Sequence, residues 1–113
     1  MVAKTNKYAE FDILDVRTRE KILRLLYDGK ERSAYKIALQ LGMATATIID
    51  HLNKLEEASL INTKDATKGK LIRRHYMITP KGKEILLAYL KEYINDIKRN
   101  KEIEGILSYL LKQ

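Results

Sequence analysis

The stretch Ser33–Ile61, SAYKIALQLGMATATIIDHLNKLEEASLI, constrains this chain more than any other. It divides at Leu41-Gly42-Met43 into two short amphipathic segments. Ile37, Ala38 and Leu41 recur at the period of a helix face in the first, and Ile48, Leu52 and Leu55 do so in the second. Gly42 stands where the first helix must stop, because the residue just past a helix often needs a positive φ, which glycine adopts without steric cost. Helices this short are marginal in isolation. The spacing therefore predicts a helix, a tight turn and a second helix crossing steeply, all held by packing. Opposite its core stripe the second helix carries Ala46, Asp50 and Asn53, flanked by Thr45 and Ile49 on one side and Thr47 and Lys54 on the other. A helix that only covers a core more often carries Lys and Glu there. Short or polar residues suit a backbone that approaches base edges in the major groove of DNA.

A resemblance supports this. LGMATATIIDHLNKLEEASLI resembles the helix-turn-helix of winged-helix regulators of the MarR/ArsR type, whose common pattern runs LGIS-x-STVSRHLKKLEEAGLI. Leu41, Gly42, Thr47, His51, Leu52, Lys54, Leu55, Glu56, Glu57, Ala58, Leu60 and Ile61 coincide. Ala44 stands where the pattern has a capping Ser, so either Thr45 caps or the cap is weak. Ile49 and Asp50 replace the usual Ser and Arg, and Ser59 replaces Gly. Further on, HYMITPKGKEIL is similar to the family's YYRLTPKGKELL, and the likeness spans about residues 14 to 90. It implies a mainly α fold with a small β-hairpin wing (α+β), a short strand before Ser33 that pairs with the wing, and double-stranded DNA as partner.

Length and charge agree. With 113 residues the chain suits one domain with one modest core, too small for an enzyme with a separate substrate domain. The net charge of +7 is concentrated. Residues 1–63 carry a net +1 and residues 84–113 are neutral. Residues 64–83 hold Lys64, Lys68, Lys70, Arg73, Arg74, Lys81 and Lys83 against Asp65 alone. A charge run is usually a solvated face, but its place directly after the helix-turn-helix makes it an electrostatic footprint for phosphates. Within it, Leu60–Lys64 reads as a strand, 65–70 as the turn with Gly69 supplying a positive φ, and Leu71–Thr79 as the returning strand with Tyr76 and Ile78 inward.

Before the central stretch, Asp15 reads as the cap of a helix from Val16 to Asp28 ended by Gly29, with Ile22, Leu25 and Leu26 as its stripe. Arg17, Arg19, Lys21 and Arg24 read as ordinary surface charge. Tyr8 and Phe11 lie one helical turn apart, which favours a short helix against a partner subunit over a loose arm. Ser33 caps the next helix, where Ser33 and Lys36 are placed to clamp a phosphate. Tyr35 either adds its hydroxyl to that clamp or packs its ring under the helix.

After the wing, Thr79 caps and Pro80 opens a long helix. Lys81 and Lys83 sit in its first turn, where positive charge opposes the helix dipole and a nearby phosphate would offset the cost. Leu86, Leu90, Tyr93 and Ile97 step as a coiled-coil seam, widened by Ile85, Tyr89 and Ile94. The phase slips after Arg99-Asn100, and Ile103, Ile106, Leu107 and Leu110 begin a new stripe weakened by Gly105, so a second helix or a bend is expected there. So much apolar helix calls for a second copy of the chain to cover it. The expected organisation is an arm at 1–13, a winged helix-turn-helix at 14–82 and a dimerisation region at 83–113.

Catalytic and metal signatures are missing from the sequence. There is no Cys, and His51 and His75 stand apart with no Ser–His–Asp, HExxH or Gly-rich phosphate pattern around them. No cofactor is expected, nor an enzyme. No apolar run approaches a membrane span and no signal peptide is visible, so the cytoplasm, on nucleoid DNA, is the expected location. The reading is a homodimeric DNA-binding transcriptional regulator. Thr45, Ala46, Thr47, Ile49, Asp50 and Asn53 meet base edges. Ser33, Tyr35, Lys36, Lys54, Lys68, Gly69, Lys70, Arg73, Arg74 and Lys81 meet the backbone, through the wing on the phosphates or in the minor groove. Two alternatives remain: a sequence-tolerant architectural protein, and an interaction module that keeps the fold without DNA binding, which Ile49 and Asp50 favour. The family likeness also admits a small effector between the first and last helices, and nothing in the sequence names one.

Overall fold

Apolar side chains from five helices and a hairpin converge on one core. The computed structural model describes residues 10–111, apart from the side chains of Lys68, Tyr93, Ile94 and residues 96–103; Tyr8 lies outside it, as do the side chains of Ile97 and Ile103. The elements are α1 (Phe11–Leu14), α2 (Arg17–Leu26), β1 (Arg32–Ser33), α3 (Ala34–Leu41), α4 (Thr45–Glu57), β2 (Ile61–Lys68), β3 (Leu71–Ile78) and α5 (Pro80–Leu111). The strands form an antiparallel sheet in the order β1-β3-β2. This is a winged helix-turn-helix, mainly helical with a small sheet, including the short strand before Ser33.

The stripes read from the sequence are the ones that pack. Ile22, Ile37, Ile48, Leu52 and Leu55 are fully buried. Each such side chain stabilises by roughly 1.5–3 kcal/mol. That burial holds α2, α3 and α4, whose 8 to 13 residues would not stay helical alone. Leu23 is fully buried while Leu25 is only partly so, which shifts the stripe of α2 slightly from the expected one.

Helix ends set the geometry of the turn. The Ser33 hydroxyl accepts from the Lys36 N–H at 3.2 Å and caps α3. Gly42, at φ 67°, closes it, and the Met43 N–H donates to the Ala38 carbonyl at 3.0 Å. α4 begins behind Ala44 without a side-chain cap, so the weak-cap alternative holds and Thr45 is simply its first residue. At its other end Ser59 takes φ 62°, with Ser59 N–H to Glu56 O at 2.9 Å and Leu60 N–H to Leu55 O at 3.0 Å. This closure usually employs glycine, which the family pattern has at that position.

Three expectations about element ends are corrected. α2 does not start on an Asp15 cap; Val16, with extended backbone and no capping bond, precedes it. Asp15 instead ends α1, and its carboxylate accepts from the Tyr89 hydroxyl at 3.0 Å, a partner 74 residues away. α2 also stops at Leu26, short of Asp28, whose carboxylate accepts from the Lys30 N–H at 2.9 Å and from the Arg32 guanidinium at 2.7 Å. That guanidinium holds the Asp28 carboxyl well below the usual carboxylate range. In the wing, strand pairing runs out to Lys68 opposite Leu71, so the turn is Gly69-Lys70 alone, not residues 65–70. A two-residue turn with a positive φ, 66° at Gly69, matches the twist of the flanking strands.

The fourth correction concerns α5, which runs unbroken through Asn100 and Gly105 for 32 residues. One Asn and one Gly cost about 1 kcal/mol or less each, too little to break a helix of good formers. Its start is fixed by the Thr79 hydroxyl, which accepts from the Gly82 N–H at 2.9 Å and donates to the Ser59 carbonyl at 2.8 Å. Gly82 lies so near the entry to β2 that a Cβ would sit 2.1 Å from the Leu60 carbonyl oxygen.

The core crosses both expected boundaries. Phe11 packs edge-to-face on Tyr89, centroids 5.4 Å apart, and is buried with Ile85 and Leu86 in the common cluster. Phe11 and Leu86, expected at a dimer interface, are therefore covered by their own chain, and Leu90 is partly covered by it. The molecule measures 72 × 28 × 23 Å, and the last turns of α5, Glu104 to Leu111, are exposed along their length.

Candidate nucleic-acid interface

The outward face of α4 follows from its inward one. With Ile48, Leu52 and Leu55 buried, the helical period turns Ala46, Thr47, Ile49, Asp50 and Asn53 to the exterior, all exposed, while Thr45 is half-buried. The expected base-reading residues thus share one accessible surface. Lys54, beside them, lies 3.9 Å from Glu57, a surface pair that contributes little.

α4 is held by one contact that sequence reading did not anticipate. The Arg19 Nε donates to His51 Nδ1 at 3.2 Å, joining α2 to the middle of α4. Burial, and then the Arg19 charge, lower the His51 imidazole below its ordinary value, with Asp50 acting weakly the other way. Arg19, read as surface charge, positions the candidate recognition helix. The contact spans 32 residues, and no local pattern signals it.

The second half of the site is a groove lined by Ser33, Tyr35, Arg73 and Arg74. β1 pairs with β3, Ser33 opposite His75, and this register brings the N-terminus of α3 against the wing. Tyr35 is 66% exposed, so its ring does not pack under the helix and its hydroxyl is free to face the groove. Lys36 is exposed in the first turn of α3. The wing cations are not equivalent. Arg74 faces Asp65 across the strands at 3.5 Å, and Glu31 lies 3.5 Å from both Lys64 and His75. Arg73, Lys70 and Lys36 have no ion-pair partner among the described residues. The Lys68 side chain lies outside the described residues.

The cations at the start of α5 have other partners. Lys81 lies 3.3 Å from Glu10, and Lys83 stands over the Tyr27 ring at 5.7 Å. Their unfavourable position on the helix dipole is offset within the chain, and Lys81, like Arg74, already has an acidic partner there.

A cavity of about 250 Å³ opens between α2 and α5, lined by Leu14, Arg17, Glu20, Arg24, Tyr89 and Leu90. It is more polar than the apolar space expected there, because Asp15, Arg17, Glu20 and Arg24 all line it. Among the described residues no group of three or more acidic or histidine side chains is placed to hold a metal ion, and no helix is long and apolar enough to cross a membrane.

Residues 17–63, from α2 into β2, match the family model described as bacterial regulatory protein, arsR family. No curated protein matches the chain. Among solved structures, the conserved protein TM0937, a potential transcriptional factor, is 25% identical with a TM-score of 0.71, over 86% of this chain and 92% of that one. A transcriptional regulator homologue from Pyrococcus horikoshii OT3 is 24% identical with a TM-score of 0.65, over 76% and 88%; it shows the fold. Bacillus subtilis PadR, in complex with operator DNA, is 32% identical with a TM-score of 0.58, over 64% of this chain and 45% of PadR.

Proposed function

We propose that this chain, whose helix-turn-helix is that of the MarR/ArsR-like transcriptional regulators, is itself a sequence-specific, homodimeric regulator acting on double-stranded DNA in the cytoplasm. The observation that carries the reading is the presence of two different surfaces in one chain. α4 presents short and polar side chains to the exterior, and a cationic groove is formed by Ser33, Tyr35, Arg73 and Arg74. A short-chained helix face suits base edges. The groove offers the kinds of donor that phosphates take, namely a helix N-terminus, hydroxyls and guanidinium groups.

In this reading α4 lies in the major groove. Thr45, Ala46, Thr47 and Asn53 meet base edges, Ile49 contacts a thymine methyl, and Asp50 accepts from a cytosine amine. Ser33, Tyr35, Lys36, Lys54, Lys70, Arg73 and Arg74 take phosphates, and Asp65 gives up Arg74 when a phosphate replaces it. The relation of PadR to operator DNA supports the same use of the fold. A second copy of the chain covers the end of α5, where Ile106, Leu107 and Leu110 are all more than half exposed. Such a dimer carries two recognition helices and calls for a palindromic target. A small effector, if the protein takes one, belongs in the cavity between α2 and α5.

The test is a titration of wild type and Asn53→Ala against DNA from upstream of the protein's own gene and against random duplex, at two salt concentrations. The proposal expects wild type to prefer the upstream DNA by a few kcal/mol, with Asn53→Ala removing much of that preference. Equal binding to both duplexes, unchanged in the variant, points to an architectural protein. No binding to either at moderate salt leaves an interaction module and ends the regulator reading.

A further inference from the structure

The outer end of the hairpin carries an arrangement that neither the fold nor the wing's charge explains. Along β3 the side chains pass from buried at Ile78 and Tyr76 to exposed at each position from Arg74 out to Leu71. Leu71 and Ile72 are adjacent, so they point to opposite faces of the two-stranded ribbon. They are 63% and 71% exposed, and nothing in the described chain covers either one. A lone exposed aliphatic residue is ordinary. Two in succession, one on each face of a protruding hairpin, form an apolar tip of the kind that invites edge-to-edge pairing. Lys70 precedes them and Arg73 and Arg74 follow. Those cations discourage self-association, and they also restrict what the tip can meet. Its counterpart must have apolar walls with negative charge along their rims.

The minor groove of DNA is built that way. It is about 6 Å wide, its walls are deoxyribose carbons and its rims are phosphates. The ribbon ends in the two-residue turn Gly69-Lys70, so the aliphatic pair follows directly on the narrowest part of the hairpin. With Leu71 on one face and Ile72 on the other, the tip is thicker than the groove of straight duplex. Entry therefore widens the groove and bends the DNA, as apolar wedges do when they lean on a base step.

We infer that Leu71 and Ile72 form an apolar wedge that enters the minor groove, while Lys70 and Arg73 hold the phosphates on its rims. The inference rests on the DNA-binding reading above and deepens it. The wing's charge leaves both the backbone and the minor groove open; the aliphatic pair decides for the groove and adds the bend.

Duplexes with a donor and an acceptor dye at their two ends, one from upstream of the gene and one random, test it. Each is titrated with wild type, Leu71→Ser with Ile72→Ser, and Arg73→Ala over a range of salt. The double variant should bind about tenfold more weakly, bend the duplex less, and keep the wild-type salt dependence, since no charge has been removed. Arg73→Ala should instead lower the salt slope by about one. Netropsin, which fills the minor groove, should compete with wild type more strongly than with the double variant. Wild-type affinity and bending in the double variant overturn the wedge and leave the DNA-binding reading intact. Failure of the wild type to bind either duplex overturns both. Circular dichroism checks the fold, and Ile72→Thr, which keeps the β-branch, must shift binding and bending in the same direction.

Discussion

Replacing Gly82 with alanine sets two effects against each other at one position. Gly82 lies in the first turn of α5, and helix propensity alone says that alanine there gains about 1 kcal/mol. Tertiary packing says the opposite. The added Cβ would lie 2.1 Å from the Leu60 carbonyl oxygen and 2.8 Å from the Ile78 side chain, where ordinary contact needs 3.4 Å or more. Backbone is the closer obstacle, so α5 must lift from the sheet by roughly an ångström. Overpacking of this kind costs about 1–3 kcal/mol. The same carbonyl accepts from the Thr79 N–H at 3.1 Å, and straining that bond adds about 1 kcal/mol. The net expectation is a loss of about 2 kcal/mol, or roughly 10 °C in Tm. Gly105 is the internal comparison. A Cβ there meets nothing within 4 Å, so Gly105→Ala should gain up to about 1 kcal/mol. Urea unfolding of both variants at one fixed protein concentration measures the pair. Gly82→Ala at or above wild-type stability would refute the close approach of α5 to the strand entry.

Other sites give further expectations. Ser59 holds a left-handed backbone at φ 62°. Ser59→Gly should stabilise by about 1 kcal/mol in urea unfolding, and a loss would show that the Ser side chain contributes more than its backbone strain costs. His51 has a lowered pKa, so the folded state favours neutral imidazole, and its contribution is fully present above the unfolded value of about 6.5. It should be lost as pH falls below that value, because protonation removes the acceptor of Arg19 and sets two cations together. The stability difference between wild type and His51→Gln should therefore shrink as pH falls below about 6.5; a flat difference counts against the contact.

The parts of the structure legible in the sequence are those with a short-range cause. The stripes of α3 and α4, the Ser33 cap, the Gly42 stop and the Thr79-Pro80 start each depend on residues within a few positions of one another, and all are found where the pattern places them. What escaped was decided at long range. Asp15 is a good cap by type, but Tyr89 supplies a distant partner. Arg19 looks like any surface cation until α4 brings His51 to it. Gly82 belongs to a motif quoted whole, yet its need for a missing side chain appears only when Leu60 is placed beside it. The break expected near Asn100 failed for a different reason, since local costs of under about 1 kcal/mol are small against the cooperativity of a long helix. On the candidate interface, composition marked the wing as basic. Which cations are already paired, as Arg74 is with Asp65, depends on register.

The Thr79 hydroxyl has a mechanical consequence. One oxygen atom ties the end of α4 to the beginning of α5, through Ser59 on one side and Gly82 on the other. α5 then extends for 32 residues, roughly 48 Å, from that pivot. A tilt of roughly 5° at the pivot carries its far end about 4 Å, close to the 3.4 Å rise of one base pair. In the proposed dimer, gripped at the far ends, the separation of the two candidate recognition helices would become a readout of this single angle. A change of a few degrees would then be enough to move the protein from a matching half-site spacing to one a base pair away.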